Sequence, residues 1–208
     1  MKANKTKIGL SKRIFSFKLI TLILTLISAE LVVFLFIYQN LILLIKAMIQ
    51  LIVTGGTFDK TYDHIKGELF FEQTHIPKML ERSRCKLAVH VTPLLLKDSL
   101  AFTEEDLQQI EKACTTTSAK SIVITHGTDT MVNTAKRLAQ LKLEKTIVLT
   151  GAMIPYAFGS SSDGFFNLGC ALSFSQTLSP NVYITMQGQY FLWDEVQKNK
   201  DLGLFEKL

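Results

Sequence analysis

The stretch SIVITHGTDT, residues 121–130, is a five-residue apolar run that passes directly into a polar loop, and residues with helical spacing follow it. The same order of short apolar run and Thr/Gly-rich loop occurs at residues 49–57 and 146–153. Apolar strands of this length, alternating with helices, are typical of a parallel sheet that is covered on both faces. The sequence therefore predicts an α/β fold, a Rossmann-like three-layer parallel sheet in a single domain.

Further elements follow from the same patterns along the chain. Thr103-Glu104-Glu105-Asp106 reads as a capping box that starts a helix, and Ser162-Asp163 can cap another helix that runs to about Gln176. A short helix is expected at 76–82 and another from Met131. Strands are expected at 49–53, 86–91, 121–125, 146–150 and 182–186, with a further extended piece at 190–192.

Three of the predicted strands end in loops of threonine and glycine, at residues 54–57, 125–130 and 150–153. In an open parallel sheet, ligands bind beyond the carboxyl ends of the strands. None of these loops has the spacing of a phosphate-binding loop, neither GxGxxG nor GKS/GKT. We therefore expect a small-molecule site at this edge of the sheet, without a nucleotide cofactor.

Composition and charge narrow the classes of function. The 208 residues are 48% apolar, which excludes a mainly disordered chain. Three widely spaced cysteines do not indicate a disulfide scaffold or a metal site, and no cofactor is expected. The formal charge of +5 divides into +6 for residues 1–47 and −1 for residues 48–208. Because the larger part is not basic, the charge gives no support to nucleic-acid binding.

Residues 1–47 form a basic, hydrophobic N-terminal segment ahead of the body at 48–208. Residues 19–45 are long and apolar enough for a single transmembrane helix, preceded by six basic residues. The rival interpretation is an over-extended gene start, since a strand pattern begins directly after Met48. Three unpaired cysteines favour a cytoplasmic body, and a single-pass membrane protein is the alternative.

The residue types in the loops are those that can activate a hydroxyl nucleophile. Thr57 follows a double glycine, which lets a ligand approach closely, and Thr128 and Asp129 stand at a strand-to-helix junction. Each alone fits a plain turn or helix cap, Lys145 alone fits a solvated lysine, and Tyr62 alone fits an exposed aromatic. Together they can form a nucleophile with its base, since a threonine hydroxyl needs a neighbouring group to take its proton.

At this point the motifs resemble a known family. Thr54-Gly55-Gly56-Thr57, His126-Gly127-Thr128-Asp129-Thr130, Thr150-Gly151-Ala152-Met153 and Ser162-Asp163-Gly164-Phe165-Phe166-Asn167-Leu168 are similar, in order and approximate spacing, to those of the bacterial-type L-asparaginases. The resemblance covers about residues 48–190 and corresponds to the N-terminal catalytic domain of that family, in a short single-domain form.

The resemblance implies an asparagine amidohydrolase of asparagine catabolism, which releases aspartate and ammonia. It gives Thr57 the role of nucleophile and Tyr62 the role of the residue that orients it. Thr128 and Lys145 would support proton transfer, and Asp129 would bind the substrate α-amino group. Gly56 and Ser99 complete the implied substrate site, with Ser99 on the α-carboxylate. Backbone N–H groups around Thr128 can supply part of an oxyanion hole.

The chain also departs from the family pattern. Leu100 follows Ser99 where the family has glutamine, Ile154 stands where arginine is common, and the usual C-terminal domain is missing. A binding module with little turnover, either free or tethered to a membrane, is therefore the alternative function. We expect a homo-oligomer, because the surface that the missing domain would meet is left uncovered.

Overall fold

The computed structural model describes residues 31–38 and 48–208. Residues 48–208 carry ten strands and four α-helices in the described part of the chain. The strands are β1 Ile49–Gly55, β2 Lys60–Asp63, β3 Glu68–Phe71, β4 Val89–Lys97, β5 Ser121–Thr125, β6 Thr146–Thr150, β7 Asn181–Met186, β8 Gln189–Leu192, β9 Val196–Asn199 and β10 Leu204–Lys207. The helices are α1 Ile76–Arg82, α2 Glu104–Thr116, α3 Met131–Ala139 and α4 Gly164–Thr177, with short 3-10 helices at Thr57–Asp59, Ser99–Ala101 and Tyr156–Ser161.

Six strands form the central sheet in the order β4-β1-β5-β6-β7-β8. All neighbours in it are parallel except β7 and β8, which are antiparallel. The register brings Thr125, Thr150 and Thr185 side by side at the carboxyl edge. The predicted parallel α/β sheet is therefore confirmed, and the polar strand ends converge at one edge.

Alternate side chains of the central strands point to opposite faces, and each face has its own buried cluster. Ile122 and Ile124 of β5 pack with Ile110 of α2 and Leu138 of α3 on one face. The other face is packed against α1 and α4, with residues Leu51, Val53, Val123, Val148, Ile76, Met79, Leu168 and Ala171. Fully burying an aliphatic side chain of this size contributes about 1.5–3 kcal/mol. The three predicted layers follow from this two-sided burial.

Local signals in the sequence agree with several observed boundaries. The hydroxyl of Thr103 accepts a hydrogen bond from the N–H of Asp106 at 3.3 Å, and the Asp106 carboxylate accepts one from the N–H of Thr103 at 2.9 Å. This is the predicted capping box. The predicted strands at 121–125 and 146–150 have the bounds that the pattern indicated. The strand expected at 86–91 instead runs over Val89–Lys97.

Two antiparallel hairpins outside the central sheet were not predicted. One joins β2 to β3, and the other joins β9 to β10. The β9 residues, Val-Gln-Lys-Asn, contain one apolar side chain, so no alternating hydrophobic pattern indicates a strand there. The β9–β10 hairpin is attached to the body through Val196 and Phe205, both of which are buried.

In the N-terminal segment, residues 31–38 are helical. The rest of the predicted transmembrane span at 19–45 lies outside the described residues. Among the helices within residues 31–38 and 48–208, none combines the length and the apolar character that crossing a membrane requires.

Candidate active site

The three predicted loops meet at the carboxyl edge of the sheet, where a Cβ on Gly151 would lie 2.6 Å from the carbonyl oxygen of His126. Gly56 has φ 73° and lies against the loop after β5, where a Cβ on Gly56 would be 2.4 Å from the backbone nitrogen of Gly127. A Cβ on Gly127 would in turn lie 2.4 Å from the Ser99 hydroxyl oxygen. The glycines therefore bring the backbones of three segments into contact, those that carry Thr57, Ser99 and Thr128.

Thr57 begins the short 3-10 helix Thr57–Asp59 directly after Gly56. Phe58, the next residue, is fully buried, while Thr57 itself is only partly buried. The Thr57 hydroxyl forms no hydrogen bond with another residue in the described part of the chain. A partly exposed, uncommitted hydroxyl at the strand edge fits the role predicted for Thr57.

Thr128 and Asp129 are held by a lysine that sequence reasoning missed. Lys198 Nζ lies 2.8 Å from Thr128 Oγ1 and 2.7 Å from Asp129 Oδ1. The Lys198 side chain is 12% exposed, and Thr128 is buried. Because Nζ donates to the Thr128 hydroxyl, the hydroxyl proton of Thr128 remains available for another acceptor. The three side chains form a hydrogen-bonded group that can move a proton.

Lys145, which was predicted to serve beside Thr128, lies at the other edge of the sheet. It precedes Thr146, which pairs with Ser121 at the start of β5, whereas Thr128 follows the end of β5. Lys145 Nζ donates to the carbonyl oxygens of Cys114, Thr115 and Thr117 at 2.7, 3.2 and 2.6 Å. These carbonyls belong to the C-terminal end of α2, so Lys145 caps a helix. Desolvation lowers the pKa of Lys145 although it lies away from the site. A lowered pKa is therefore not evidence that Lys145 takes part in catalysis. The proton-transfer role assigned to Lys145 is therefore wrong in position, and Lys198 occupies that place.

Ser99 lies where the resemblance implies. It is buried against Gly127, and its hydroxyl has no hydrogen-bond partner among the described residues. The Thr130 hydroxyl donates to the Ser99 carbonyl at 3.1 Å and fixes the two loops to each other. An unpaired buried hydroxyl costs free energy unless a ligand supplies the partner, which is consistent with a substrate contact.

Tyr62 forms no hydrogen bond with Thr57. It lies on β2, is 51% exposed, and its hydroxyl makes no hydrogen bond within residues 48–208. The start of β2 is fixed by an ion pair, in which Lys60 Nζ lies 2.6 Å from Asp98 Oδ2. The hairpin is thus attached beside Ser99, with Tyr62 at the surface.

The third loop, after β6, is held by the motif that contains Asp163 and Asn167. The carboxylate of Asp163 accepts hydrogen bonds from the backbone N–H of Met153 and of Ile154, at 3.0 Å each. Asn167 Nδ2 donates to the carbonyl of Gly151 at 2.9 Å. Asp163 is the N-cap residue of α4, where the sequence predicted the helix start, but its side chain makes no cap hydrogen bond. Ser162 Oγ instead accepts the N–H of Gly164 at 3.0 Å. The role of Asp163 is to shape the loop beside the site.

His126 is packed inside the site wall. It is fully buried, its Nδ1 lies 2.7 Å from the carbonyl of Gly127, and its ring meets the edge of Phe102 at 5.1 Å between centroids. Desolvation lowers the pKa of His126 to about 4. The neutral, buried side chain of His126 therefore packs under the loop after β5 and stabilises it.

Comparison with known proteins identifies the family to which the chain belongs. The family described as "Asparaginase, N-terminal" matches residues 48–204, and the chain therefore belongs to this family. L-asparaginase 1 of Escherichia coli (strain K12) is 34% identical over 137 residues, which cover 61% of this chain and 40% of the relative.

Two solved structures have a similar fold. The thermostable L-asparaginase from Thermococcus kodakarensis has a TM-score of 0.68 at 28% identity, covering 77% of this chain and 51% of that one. The probable cytoplasmic L-asparaginase from Campylobacter jejuni has a TM-score of 0.67 at 25% identity, covering 78% and 53%. The chain thus spans about half the length of these relatives or less.

Proposed function

We propose that residues 48–208 hydrolyse the side-chain amide of L-asparagine to L-aspartate and ammonia, with Thr57 as the nucleophile. The observation that carries this proposal is the placement of Lys198 on Thr128 and Asp129, at 2.8 and 2.7 Å, beside the glycine contact that brings in Thr57. A hydroxyl, a relay hydroxyl and an amine at one edge are the parts of an amide-cleaving site. Membership of the asparaginase family supports the choice of substrate.

In the proposed reaction, Thr57 Oγ1 attacks the amide carbon while its proton passes to Thr128, and the Thr128 hydroxyl proton passes to the Lys198 amine. The hydrogen bond between Thr128 and Lys198 reverses its direction in this step. The carbonyl oxygen becomes negative and is stabilised by backbone N–H groups near Thr128. The carbon–nitrogen bond then breaks, and the nitrogen leaves as ammonia with the returned proton. Water attacks the resulting ester by the reverse proton path, which releases aspartate and restores Thr57.

Substrate binding is assigned to the residues around this group. Asp129 would take the α-ammonium group, because its carboxylate is 40% exposed even while it contacts Lys198. Ser99 would donate its unpaired hydroxyl to the α-carboxylate, and Gly56 lets the substrate approach the backbone. Tyr62 would act only after the hairpin moves, since its hydroxyl is at the surface.

The alternative is a binding module with little turnover. Leu100 is 71% exposed and Ile154 is 38% exposed, and both stand where the family resemblance implies polar side chains. Apolar groups at these positions would weaken the hold on a charged amino acid. This alternative predicts that asparagine binds but that no ammonia is released.

We also propose that the body self-associates, most simply as a dimer, and lies in the cytoplasm. Exposed Phe158, Phe165, Phe166 and Tyr190 supply apolar surface for a second copy. The three cysteines are free thiols, which suits a reducing compartment. A membrane anchor through residues 19–45 stays the alternative, and fractionation of the native protein distinguishes the two.

The test is ammonia release from asparagine, with glutamine in parallel. The full chain should release ammonia, and Thr57→Ala should lower the rate by about three orders of magnitude or more. Thr128→Val should also remove most of the activity, because it keeps the shape but removes the hydroxyl. Thr116→Ala, an exposed threonine on α2, is the matched control and should be unchanged. Normal turnover by Thr57→Ala would refute the nucleophile assignment.

A further inference from the structure

Asp59 is a fully buried carboxyl group two residues after Thr57, and the proposed reaction does not use it. It is 0% exposed. Its Oδ1 accepts hydrogen bonds from the Thr74 hydroxyl at 3.0 Å and from the backbone N–H of His75 at 2.9 Å. Its Oδ2 has no partner within residues 48–208. A buried carboxyl group with one unpaired oxygen lowers the stability of the fold. Its presence is therefore better explained by a role in the site than by stability.

The hydrogen bonds of Asp59 join the two ends of the segment that contains the β2–β3 hairpin. They join the end of the 3-10 helix Thr57–Asp59 to the start of α1, across 15 and 16 positions in sequence. His75, whose backbone N–H donates to Asp59, also has its Nε2 atom 3.3 Å from the Thr61 hydroxyl oxygen. Its ring packs against Tyr156 at 5.5 Å between centroids. Asp59 therefore ties the segment that carries Thr57 to a packed part of the body.

This attachment matters because it fixes the chain directly after Thr57. The Thr57 hydroxyl has no hydrogen bond with a described residue, and Thr57 follows two glycines with positive φ. On the N-terminal side the Gly56 N–H donates to the Lys97 carbonyl at 2.9 Å, and on the C-terminal side Phe58 and Asp59 are buried. Tyr62, three residues beyond Asp59, lies on β2 of the same hairpin segment. Asp59 thus anchors the chain between the proposed nucleophile and the proposed orienting tyrosine, next to the Lys60–Asp98 ion pair at the start of β2.

We propose that Asp59 is a positioning residue for Thr57, acting through Thr74 and His75; this rests on the proposed function of the site. Burial raises the pKa of Asp59, while the hydrogen bonds from His75 and Thr74 oppose that rise. The geometry requires an acceptor at Oδ1 and does not require a charge. Asparagine, which keeps that oxygen, is therefore the conservative replacement.

The experiment compares Asp59→Ala, Asp59→Asn and Asp63→Ala in the full chain, by steady-state kinetics and by hydrogen exchange of the segment 57–63. Asp63 is the matched control, since its Oδ1 also accepts two backbone N–H bonds, from Ile65 and Lys66, but within the hairpin turn. Asp59→Ala should lower kcat by about tenfold to a hundredfold with KM within about threefold, because misplacing the nucleophile mainly affects the chemical step. Its exchange at 57–63 should rise. Asp59→Asn should restore kcat to within about threefold, and Asp63→Ala should leave kcat unchanged.

Two results overturn the proposal: a kcat for Asp59→Ala within about twofold of the original chain, or unaltered exchange at 57–63. If the original chain releases no ammonia, the proposed function fails, and exchange alone then decides the positioning role. If Asp59→Ala does not fold, Thr74→Val takes its place, since it removes one of the two donors. Thr74→Val with both kcat and exchange unchanged would then refute the attachment.

Discussion

Replacing Lys198 and Lys145 by methionine in parallel separates a proton-transfer lysine from a helix-capping lysine. Methionine keeps the length and apolar stem of lysine and removes the amine. Lys198 loses contacts of 2.8 and 2.7 Å to Thr128 and Asp129, whereas Lys145 loses three contacts to carbonyls of α2. The two variants should therefore fail in different ways.

The magnitudes follow from those contacts. A positioned acid–base group contributes about 10²–10⁴ in rate, so Lys198→Met should lower kcat/KM by that factor. Lys198→Arg should lose as much, because a guanidinium keeps the charge but does not act as a base near neutral pH. For Lys145→Met, three partly exposed hydrogen bonds at a helix C-terminus give about 1–2 kcal/mol of destabilisation. That corresponds to a fall in Tm of about 3–6 °C for a body of this size.

The assays are ammonia release and thermal unfolding on the same three preparations. At a temperature where both variants are folded, Lys145→Met should keep normal turnover and Lys198→Met should lose it. The reasoning is refuted if Lys145→Met removes activity from a folded protein, or if Lys198→Arg turns over at close to the original rate. In the latter case Lys198 would be an electrostatic anchor for Asp129.

Two further predictions concern stability and domain organisation. His126 has a pKa of about 4 in the folded state and about 6.5 when unfolded, so the unfolded state binds the extra proton between these values. The free energy of unfolding should fall by about 3 kcal/mol as pH drops from 6.5 to below 4, and His126→Gln should flatten this part of a denaturant-stability profile. A chain that starts at Met48 should fold and keep the kcat of the full chain, because every proposed site residue lies at or after Gly56. Insolubility of the shorter chain beside a competent longer one would contradict this.

The sequence is informative where burial imposes a pattern. The two-sided apolar runs at 121–125 and 146–150 became central strands with the expected bounds. The convergence of the loops carrying Thr57 and Thr128 followed from the parallel order, since carboxyl ends of parallel strands meet at one edge. These two residues required only local patterns and one rule of topology, whereas Ser99 was assigned from the family resemblance.

Lys198 could not be found in that way. It lies on a short polar hairpin, 70 positions from its partner Thr128, and no periodicity marks it. Lys145 was assigned from the family resemblance, as the lysine that would take a proton beside Thr128, but it stands at the beginning of β6. Over five residues a strand rises roughly 16 Å, so the wrong end of β6 is far from the site. The direction of β6 excludes Lys145 from the site, because Lys145 precedes the amino end of the strand and the site lies at the carboxyl end.

The β9–β10 hairpin gives the site an order of assembly. The six strands of the sheet and the loops bearing Thr57 and Thr128 precede Val196, so during synthesis they leave the ribosome before the amine does. Until Phe205 is buried and draws β9 onto the body, Thr128 and Asp129 have no lysine between them. The nascent polypeptide therefore holds the sheet and both threonine loops before Lys198 reaches them, and the hydrogen-bonded group of Thr128, Asp129 and Lys198 forms only when β9 packs.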